Sequence, residues 1–324
     1  MYNLSDIRLP VEQEMKEFEK RFKNAIASKV PLLNIVTNYI LRRKGKQMRP
    51  LFVFLVSKMA GGVTESTYTA ASLIELLHTA TLIHDDVVDE SFERRGVFSI
   101  NAIWKSKIAV LLGDYLLAKG LLLSLEKRDY ELLHIVSDAV REMIEGELLQ
   151  IQKSRSLNID TETYYEIIRK KTATLIASCT ACGAKAAGAD DDMVKNLYDI
   201  GTNIGMAFQI KDDLFDYQPR GIIGKPIGND IKEKKITLPL ICALNHCDSK
   251  EKRVILRKIR NGKPNSKEVG EIIHFVTVNG GLDFANNKML EFKSKAMDEI
   301  DKFPDSDARS ALKNLIEFTV SRKR

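Results

Sequence analysis

Six aspartates in two short clusters are the first residues that could do chemistry. Residues 85–89 read DDVVD and residues 212–216 read DDLFD. Each cluster lies in an apolar window of helical character, HTATLIHDDVVDE and GMAFQIKDDLFDY. In a helix, residues four apart share a face. Asp85 and Asp89 therefore point the same way, with Asp86 roughly 100° to the side. Asp212, Asp213 and Asp216 are expected to repeat that geometry. Like charges gathered on an apolar helix are costly unless something positive neutralises them. Carboxylates are hard oxygen donors and suit magnesium, which typically shares itself between one or two carboxylates and a phosphate group. Two such clusters facing each other would chelate a diphosphate through bridging metal ions. The bland alternative is an acidic, solvated helix face. That reading competes well for one cluster and poorly for two, each on a strongly apolar helix.

Basic residues stand in a fixed order around the clusters. Lys46 and Arg49 lie in RRKGKQMRP, and Arg94 and Arg95 follow the first cluster in SFERRG. Lys171 and Thr172 lie in IIRKKTATL, and Lys225 and Lys235 follow the second cluster in GKPIGNDIKEKKITLPL. Arg suits diphosphate oxygens as a bidentate fork and Lys as a point charge. Each one alone reads as a surface charge. Their joint order relative to the aspartates is the informative feature.

The elements that must position these groups are helices. Strand signals are nearly absent, and helical periodicity runs from residue 11 to the end. Breaks are expected at Gly61-Gly62, Arg95-Gly96, Gly188 to Asp192, Pro219 to Gly228, Gly262 to Pro264 and Gly280-Gly281. With 324 residues the chain can bury a substantial core. No linker or short repeat divides it, so residues 1–324 are read as one all-α domain. Hydrophobic residues make up 44% and charged residues 29%, which is an ordinary globular balance and does not indicate disorder. A formal charge of +6 does not establish nucleic-acid binding and fits anionic small substrates equally well. Cys179 and Cys182 form C-x-x-C inside an alanine-rich helical stretch, without the strand a redox motif needs. With Cys242 and Cys247 they make no zinc set either, so they read as small packing residues in a reducing, cytosolic setting. The N-terminal segment is charged throughout and does not read as a signal peptide. The apolar run IAVLLGDYLLAKGLLLSL is broken by Asp114 and Lys119 and is expected to be a buried core helix, with no membrane span.

These motifs, in this order, resemble the trans-isoprenyl diphosphate synthase (polyprenyl synthetase) family, of the medium- and long-chain type. The resemblance runs from GKQMRP through LIHDDVVDESFERRG, LLGDYLLAKG, EGELLQ, KTATL and AFQIKDDLFDY to GKPIGNDIKEKKITLPL. It implies the isoprenoid synthase fold, a helical bundle around a central active-site cavity, usually as a homodimer. It also implies Mg2+, about three ions per site. Asp85, Asp86, Asp89, Asp212, Asp213 and Asp216 would hold that metal on the allylic diphosphate. Arg94, Lys171, Lys225 and Lys235 would bind the same diphosphate. Lys46, Arg49, His78 and Arg95 would bind isopentenyl diphosphate. Thr172 and Gln209, with Lys171, would act at the developing carbocation. The sequence departs from the family at Gln47, where a second basic residue is common, at Asn229, often Asp, and at Lys234 and Ile236 around Lys235.

The resemblance further implies the reaction. The allylic C–O bond ionises, the double bond of isopentenyl diphosphate attacks the cation, a proton leaves, and the chain grows by five carbons. In the family, bulky aromatics four or five residues before the first aspartate stop growth at farnesyl length. Here those positions are Thr81 and Ala80, with Leu77 a further turn back and Phe52 a candidate tunnel floor. A medium or long product follows as the expectation, suited to hand-over to membrane enzymes. The alternatives are a shorter farnesyl or geranylgeranyl diphosphate synthase, or the non-catalytic subunit of a heteromeric synthase, which would be expected to lack aspartates from one cluster. A terpene cyclase would need no second diphosphate site, and a nucleic-acid binder would need an aromatic-studded basic patch.

Adjacent arginines with different substrates make the assignment testable. Arg94→Ala is expected to raise KM for the allylic substrate, and Arg95→Ala that for isopentenyl diphosphate, each by about tenfold or more. Steady-state kinetics with each substrate varied measure this, and unchanged constants in both variants would refute it.

Overall fold

The computed structural model describes residues 3–42, 45–94, 97–157, 159–218, 228–260 and 264–321, without the side chains of Arg94, Arg155 and Ser156. In chain order the helices are α1 (Leu4–Arg8), α2 (Glu12–Ala25), α3 (Pro31–Arg42), α4 (Met48–Ala60) and α5 (Glu65–Val88). Two strands of two residues each follow, β1 (Glu93–Arg94) and β2 (Val97–Phe98), paired antiparallel. Next come α6 (Ile100–Lys127), α7 (Tyr130–Ser156) and α8 (Thr161–Ile168), then a π-helical turn, Arg169–Ala173. The remainder is α9 (Thr174–Ala186), α10 (Asp191–Phe215), α11 (Asn229–Lys232), α12 (Leu238–His246), α13 (Ser249–Arg260), α14 (Ser266–Val278), α15 (Gly281–Ile300) and α16 (Asp307–Ser321). The all-α expectation holds, with one minimal hairpin added among the described residues.

The chain forms two compact units. The first comprises Met1–Val140, Ser178–Tyr198 and Phe303–Leu315; the second comprises Arg141–Ala177, Asp199–Lys302 and Ile316–Arg324. Four of the five boundaries fall inside α7, α9, α10 and α16, and the fifth lies between α15 and α16.

In the first unit α4 is the central helix. Residues 50–57 are buried without a break, so the helix is apolar on every face. Phe54 makes edge contacts with Phe18 at 5.9 Å and Tyr68 at 5.2 Å between ring centroids. Helix α5 starts at a capping box, in which the Thr64 N–H donates to Thr67 Oγ1 at 3.0 Å. It then buries the face that includes Leu73, Leu77 and Ala80. Gly120 of α6 lets that helix approach, since a Cβ there would lie 3.2 Å from Leu73 Cδ1.

Helix α6 departs from expectation. It is long and apolar enough to cross a membrane, yet only 33% of its most apolar window is buried. The buried residues include the small Ala109, Gly113, Gly120 and Ser124. Val110, Leu111, Leu121, Leu122 and Leu125 are exposed. Helix α6 is therefore not a buried core helix within the single chain. The run of leucines is continuous, but a helix turns them to all sides, and the described residues cover one side.

In the second unit α12 is central, with Leu238–Leu244 buried throughout and Pro239 in its first turn. Helix α15 begins almost in contact with it: a Cβ on Gly281 would stand 2.1 Å from the Pro239 carbonyl oxygen. Ile210, Leu214 and Tyr217, on and just beyond the last turns of α10, belong to the same buried cluster as Ile231, Leu240, Ile272 and Ala285. This packing fixes the end of α10, and with it the second aspartate cluster.

Candidate active site

The second unit encloses a cavity of about 400 Å³. Its lining brings together Lys171, Thr172, Gln209, Asp212, Asp213, Asp216 and Lys235, seven of the residues singled out in the sequence. Helix α10 delivers the aspartates at its C-terminal end. No basic residue sits in its last turn, and the carboxylates meet the negative end of the helix dipole.

Asp213 and Asp216 are buried, and Asp212 is partly exposed. Gln209 Nε2 donates to Asp213 Oδ1 at 2.7 Å, and the Tyr164 hydroxyl donates to Asp213 Oδ2 at 2.7 Å. Thr172 Oγ1 donates to Gln209 Oε1 at 2.8 Å, which turns the Gln209 amide nitrogen toward the carboxylate. Burial, reinforced by the charges of Asp230 and Asp212, pushes the Asp213 pKa up to about 8, although the two hydrogen bonds pull it down.

Asp216 has a different environment. Its Oδ1 accepts from the Asn229 N–H and its Oδ2 from the Asp230 N–H, both at 3.0 Å. Its backbone carbonyl accepts from the Gly228 N–H at 3.1 Å. It therefore pins the start of α11 beside the cluster, a job done with the same carboxylate that the family resemblance assigns to metal. Asp230 is drawn to the cavity by this contact. Burial and the Asp216 charge raise its pKa to about 6, against the pull of Lys235.

The two lysines are each paired. Lys171 forms an ion pair with Glu147 and donates to Gln150 Oε1 at 2.7 Å. Lys235 Nζ lies 2.6 Å from Glu233. Burial works against its charge, but the bond to Glu233 and the nearby Asp230 outweigh that, so its pKa is raised. Lys171 and Thr172 project from the π-helical turn, whose extra residue shifts the register of the chain. Two glycines seat that turn. A Cβ on Gly146 would lie 2.8 Å from the Lys171 backbone nitrogen, and one on Gly205 would lie 2.4 Å from the Ala173 Cα.

The first unit holds the other group. Asp85 and Asp89 are exposed and Asp86 is buried, at the end of α5, again with no basic residue in the last turn. Asp89 is the C-cap residue, its N–H bonded to the Asp85 carbonyl at 2.8 Å. His78 is partly buried on the same helix. Lys46 is exposed, and its carbonyl accepts from Arg8 at 2.6 Å. Arg49 lies in the first turn of α4, after Gln47 in a left-handed conformation (φ 49°). Of the chain-length candidates, Ala80, Leu77 and Phe52 are buried. Thr81 is partly exposed, with its hydroxyl on the His78 carbonyl at 2.9 Å. Arg94 stands on β1; Arg95 and Lys225 lie outside the described residues. The cysteines behave as packing residues: Cys179 and Cys182 are fully buried, and burial pushes both thiols up, Cys179 to about 12.

Sequence reasoning missed Tyr164, Glu147, Gln150, Glu233 and Asp230, although it noted the departure at the neighbouring Asn229. Tyr164 carried a faint signal, lying seven residues, about two helical turns, before Lys171. An aromatic at that spacing ordinarily reads as core.

All donors at the cavity's acidic side are oxygens, the set that magnesium or calcium takes. Among the described residues no three acidic, His or Cys side chains converge as a preformed metal cage. The carboxylates thus fit a cation that a phosphate-bearing ligand helps to coordinate. The polyprenyl synthetase family model matches residues 30–276. An all-trans-nonaprenyl-diphosphate synthase (geranyl-diphosphate specific) of Rhodobacter capsulatus is 35% identical, over 98% of this chain and 97% of that protein. A decaprenyl diphosphate synthase structure from Rhodobacter capsulatus superposes with a TM-score of 0.93 at 31% identity, covering 99% and 100% of the two chains. A polyprenyl synthase of Caulobacter crescentus, solved with calcium and isoprenyl diphosphate, superposes with a TM-score of 0.90 at 33% identity, covering 99% and 98%.

The Asp213 environment sets a pH dependence. Its folded-state pKa, about 8, lies above the unfolded value of about 4. The folded protein therefore binds that proton more tightly. The carboxyl carries no ionisation penalty below about pH 4, a growing one as pH rises toward about 8, and a constant one beyond. In metal-free protein, Asp213→Asn is expected to be more stable than wild type at pH 8, by about 2–4 kcal/mol, and equal to it near pH 4. Denaturant melts of both proteins across that range measure the difference. A gap that stays constant with pH would contradict the assignment.

Proposed function

The chain belongs to the polyprenyl synthetase family, and we propose that it joins isopentenyl diphosphate head-to-tail to an allylic diphosphate, making a medium- or long-chain all-trans polyprenyl diphosphate. It is a prenyltransferase with the all-α isoprenoid synthase fold. One observation carries the site-level reading. The cavity is lined by five carboxylates, Asp212, Asp213, Asp216, Asp230 and Glu233, against two ammonium groups, Lys171 and Lys235. A diphosphate would be repelled from such a site unless multivalent cations entered with it. The family's divalent metal meets that need, and the bound calcium of the Caulobacter protein is in keeping with it.

Mg2+ is the proposed ion, with Asp85, Asp86, Asp89, Asp212 and Asp213 as its holders. When bound, it neutralises the diphosphate and makes it a better leaving group. Lys171 and Lys235 exchange their carboxylate partners for diphosphate oxygens, joined by Arg94 and Lys225. Lys46, Arg49, His78 and Arg95 bind isopentenyl diphosphate. The Thr172 hydroxyl and the Gln209 amide oxygen present their dipoles to the allylic cation as it forms. Ile159, Ile167, Ile168 and Ile236 keep that wall of the cavity apolar and limit quenching by water. Asp216 serves mainly to hold α11 in place, so it contributes less to metal binding than its two neighbours.

The exposed leucines of α6 support a homodimer, in which a second copy covers them. A cytoplasmic location goes with this reading, in keeping with the four free cysteines. Product length rests on the small residues Ala80 and Thr81. The two Rhodobacter proteins carry names for different lengths, so similarity alone does not fix it. Ala80 is fully buried, and a larger side chain there either blocks a prenyl path or disrupts packing.

Incubation of the purified chain with isopentenyl and farnesyl diphosphates, followed by chromatography of the products, tests the reading. Products of roughly thirty carbons or more are expected with Mg2+, and none in excess chelator. Ala80→Phe is expected to remain folded and to shift products toward farnesyl or geranylgeranyl diphosphate. Full turnover in chelator would refute the metal-bridged site. A wild type that stops at about fifteen carbons, or a folded variant with unchanged products, would refute the tunnel.

A further inference from the structure

Tyr164 is buried on α8 at 3% exposure, and its hydroxyl reaches a buried carboxylate of the cavity, that of Asp213. We infer that Tyr164 is a positioning residue, which through its hydroxyl fixes the orientation of Asp213 for cation binding at the second cluster. The inference rests on the reading of Asp213 as a metal holder.

Each oxygen of Asp213 accepts one hydrogen bond from a neutral donor, Oδ1 from Gln209 and Oδ2 from Tyr164. The Gln209 donor is itself oriented, because the Thr172 hydroxyl occupies the amide oxygen. The Tyr164 donor is held by its ring, which packs tilted against Tyr165 at 5.7 Å. The Tyr164 hydroxyl lies 2.7 Å from Asp213 Oδ2 and acts toward it as a donor. One donor per oxygen leaves lone pairs for a cation, while the two together stop the carboxylate from turning about its Cβ–Cγ bond. Without the Tyr164 hydroxyl, only the Gln209 contact would remain, and the carboxylate could rotate about it. Ligating carboxylates are commonly held by such outer hydrogen bonds, and losing one typically weakens metal binding by about 10–100-fold.

The adjacent Tyr165 supplies a control within the same helix. Its ring packs edge-on against Phe292 at 5.8 Å, and its hydroxyl is buried without a hydrogen-bond partner among the described residues. Removing that hydroxyl deletes no contact to the cluster.

The test is calorimetric binding of Mn2+ in the presence of inorganic diphosphate, on the full-length wild type and on Tyr164→Phe, Tyr165→Phe and Asp213→Asn. Circular dichroism confirms that each is folded, and the Phe variants keep both rings and so preserve the packing. Tyr164→Phe is expected to weaken Mn2+ binding about 10–100-fold and to raise the Mn2+ concentration for half-maximal turnover to match, with kcat at saturating metal within about threefold. Tyr165→Phe is expected to bind as wild type does. Wild-type Mn2+ affinity in Tyr164→Phe would overturn the inference if Asp213→Asn has lost affinity. So would equal weakening in both Phe variants, which would mark a packing effect. Wild-type affinity in Asp213→Asn would instead remove the metal reading of Asp213, and with it the premise.

Discussion

A carboxylate at the C-terminal end of a helix faces the negative pole of that helix, and this protein places both acidic clusters there. Helices α5 and α10 have no basic residue in the last turn to offset the charge. Asp86 and Asp213 are also buried, which removes the water that would otherwise solvate them. The second cluster adds Asp216 and Asp230 to the same cavity wall. No arrangement of this kind favours folding by itself. It makes sense where a cation and an anionic ligand arrive together, and the fold must hold the carboxylates ready until then.

The apolar helices provide that rigidity. In the second unit the end of α10 is locked by Ile210, Leu214 and Tyr217 in the core around α12. The Tyr217 hydroxyl is tied to Thr237 at 2.8 Å, next to the start of α12. Opposite the aspartates, the π-helical turn carries Lys171 and Thr172, and Gly146 and Gly205 let two neighbouring helices close upon it. Any side chain on Gly205 would intrude on the Ala173 backbone, so the placement of Thr172 depends on the absence of a single methyl group. The chemistry is thus carried by a few polar groups, and their precision comes from apolar packing behind them.

Much of this was legible in the sequence. The aspartate spacing, the Lys171-Thr172 pair and Gln209 are local features, and the helix periodicity that carries them is strong. Glycine marked the ends of α4, α9 and α14 because it breaks helices for local reasons. What escaped notice depends on contacts far apart in sequence. Tyr164 meets Asp213 across 49 positions, and its spacing from Lys171 in TETYYEIIRKKT only faintly sets it apart from Tyr165. The second role of Asp216, holding the amides of Asn229 and Asp230, appears only once the returning chain presents them. The exposed side of α6 was hidden because a continuous leucine run gives no sign of which side a neighbour covers.

The account turns on a buried carboxylate that awaits a cation, and its ionisation can be measured directly. Protein carrying ¹³C-carboxyl aspartate, compared with Asp213→Asn, would identify the Asp213 resonance by NMR. In chelator that resonance is expected to titrate near pH 8, and with Mg2+ and inorganic diphosphate it is expected to stay ionised down to at least about pH 6. A carboxyl that titrates near pH 4 without metal, or whose titration is unmoved by the cation, would contradict the account.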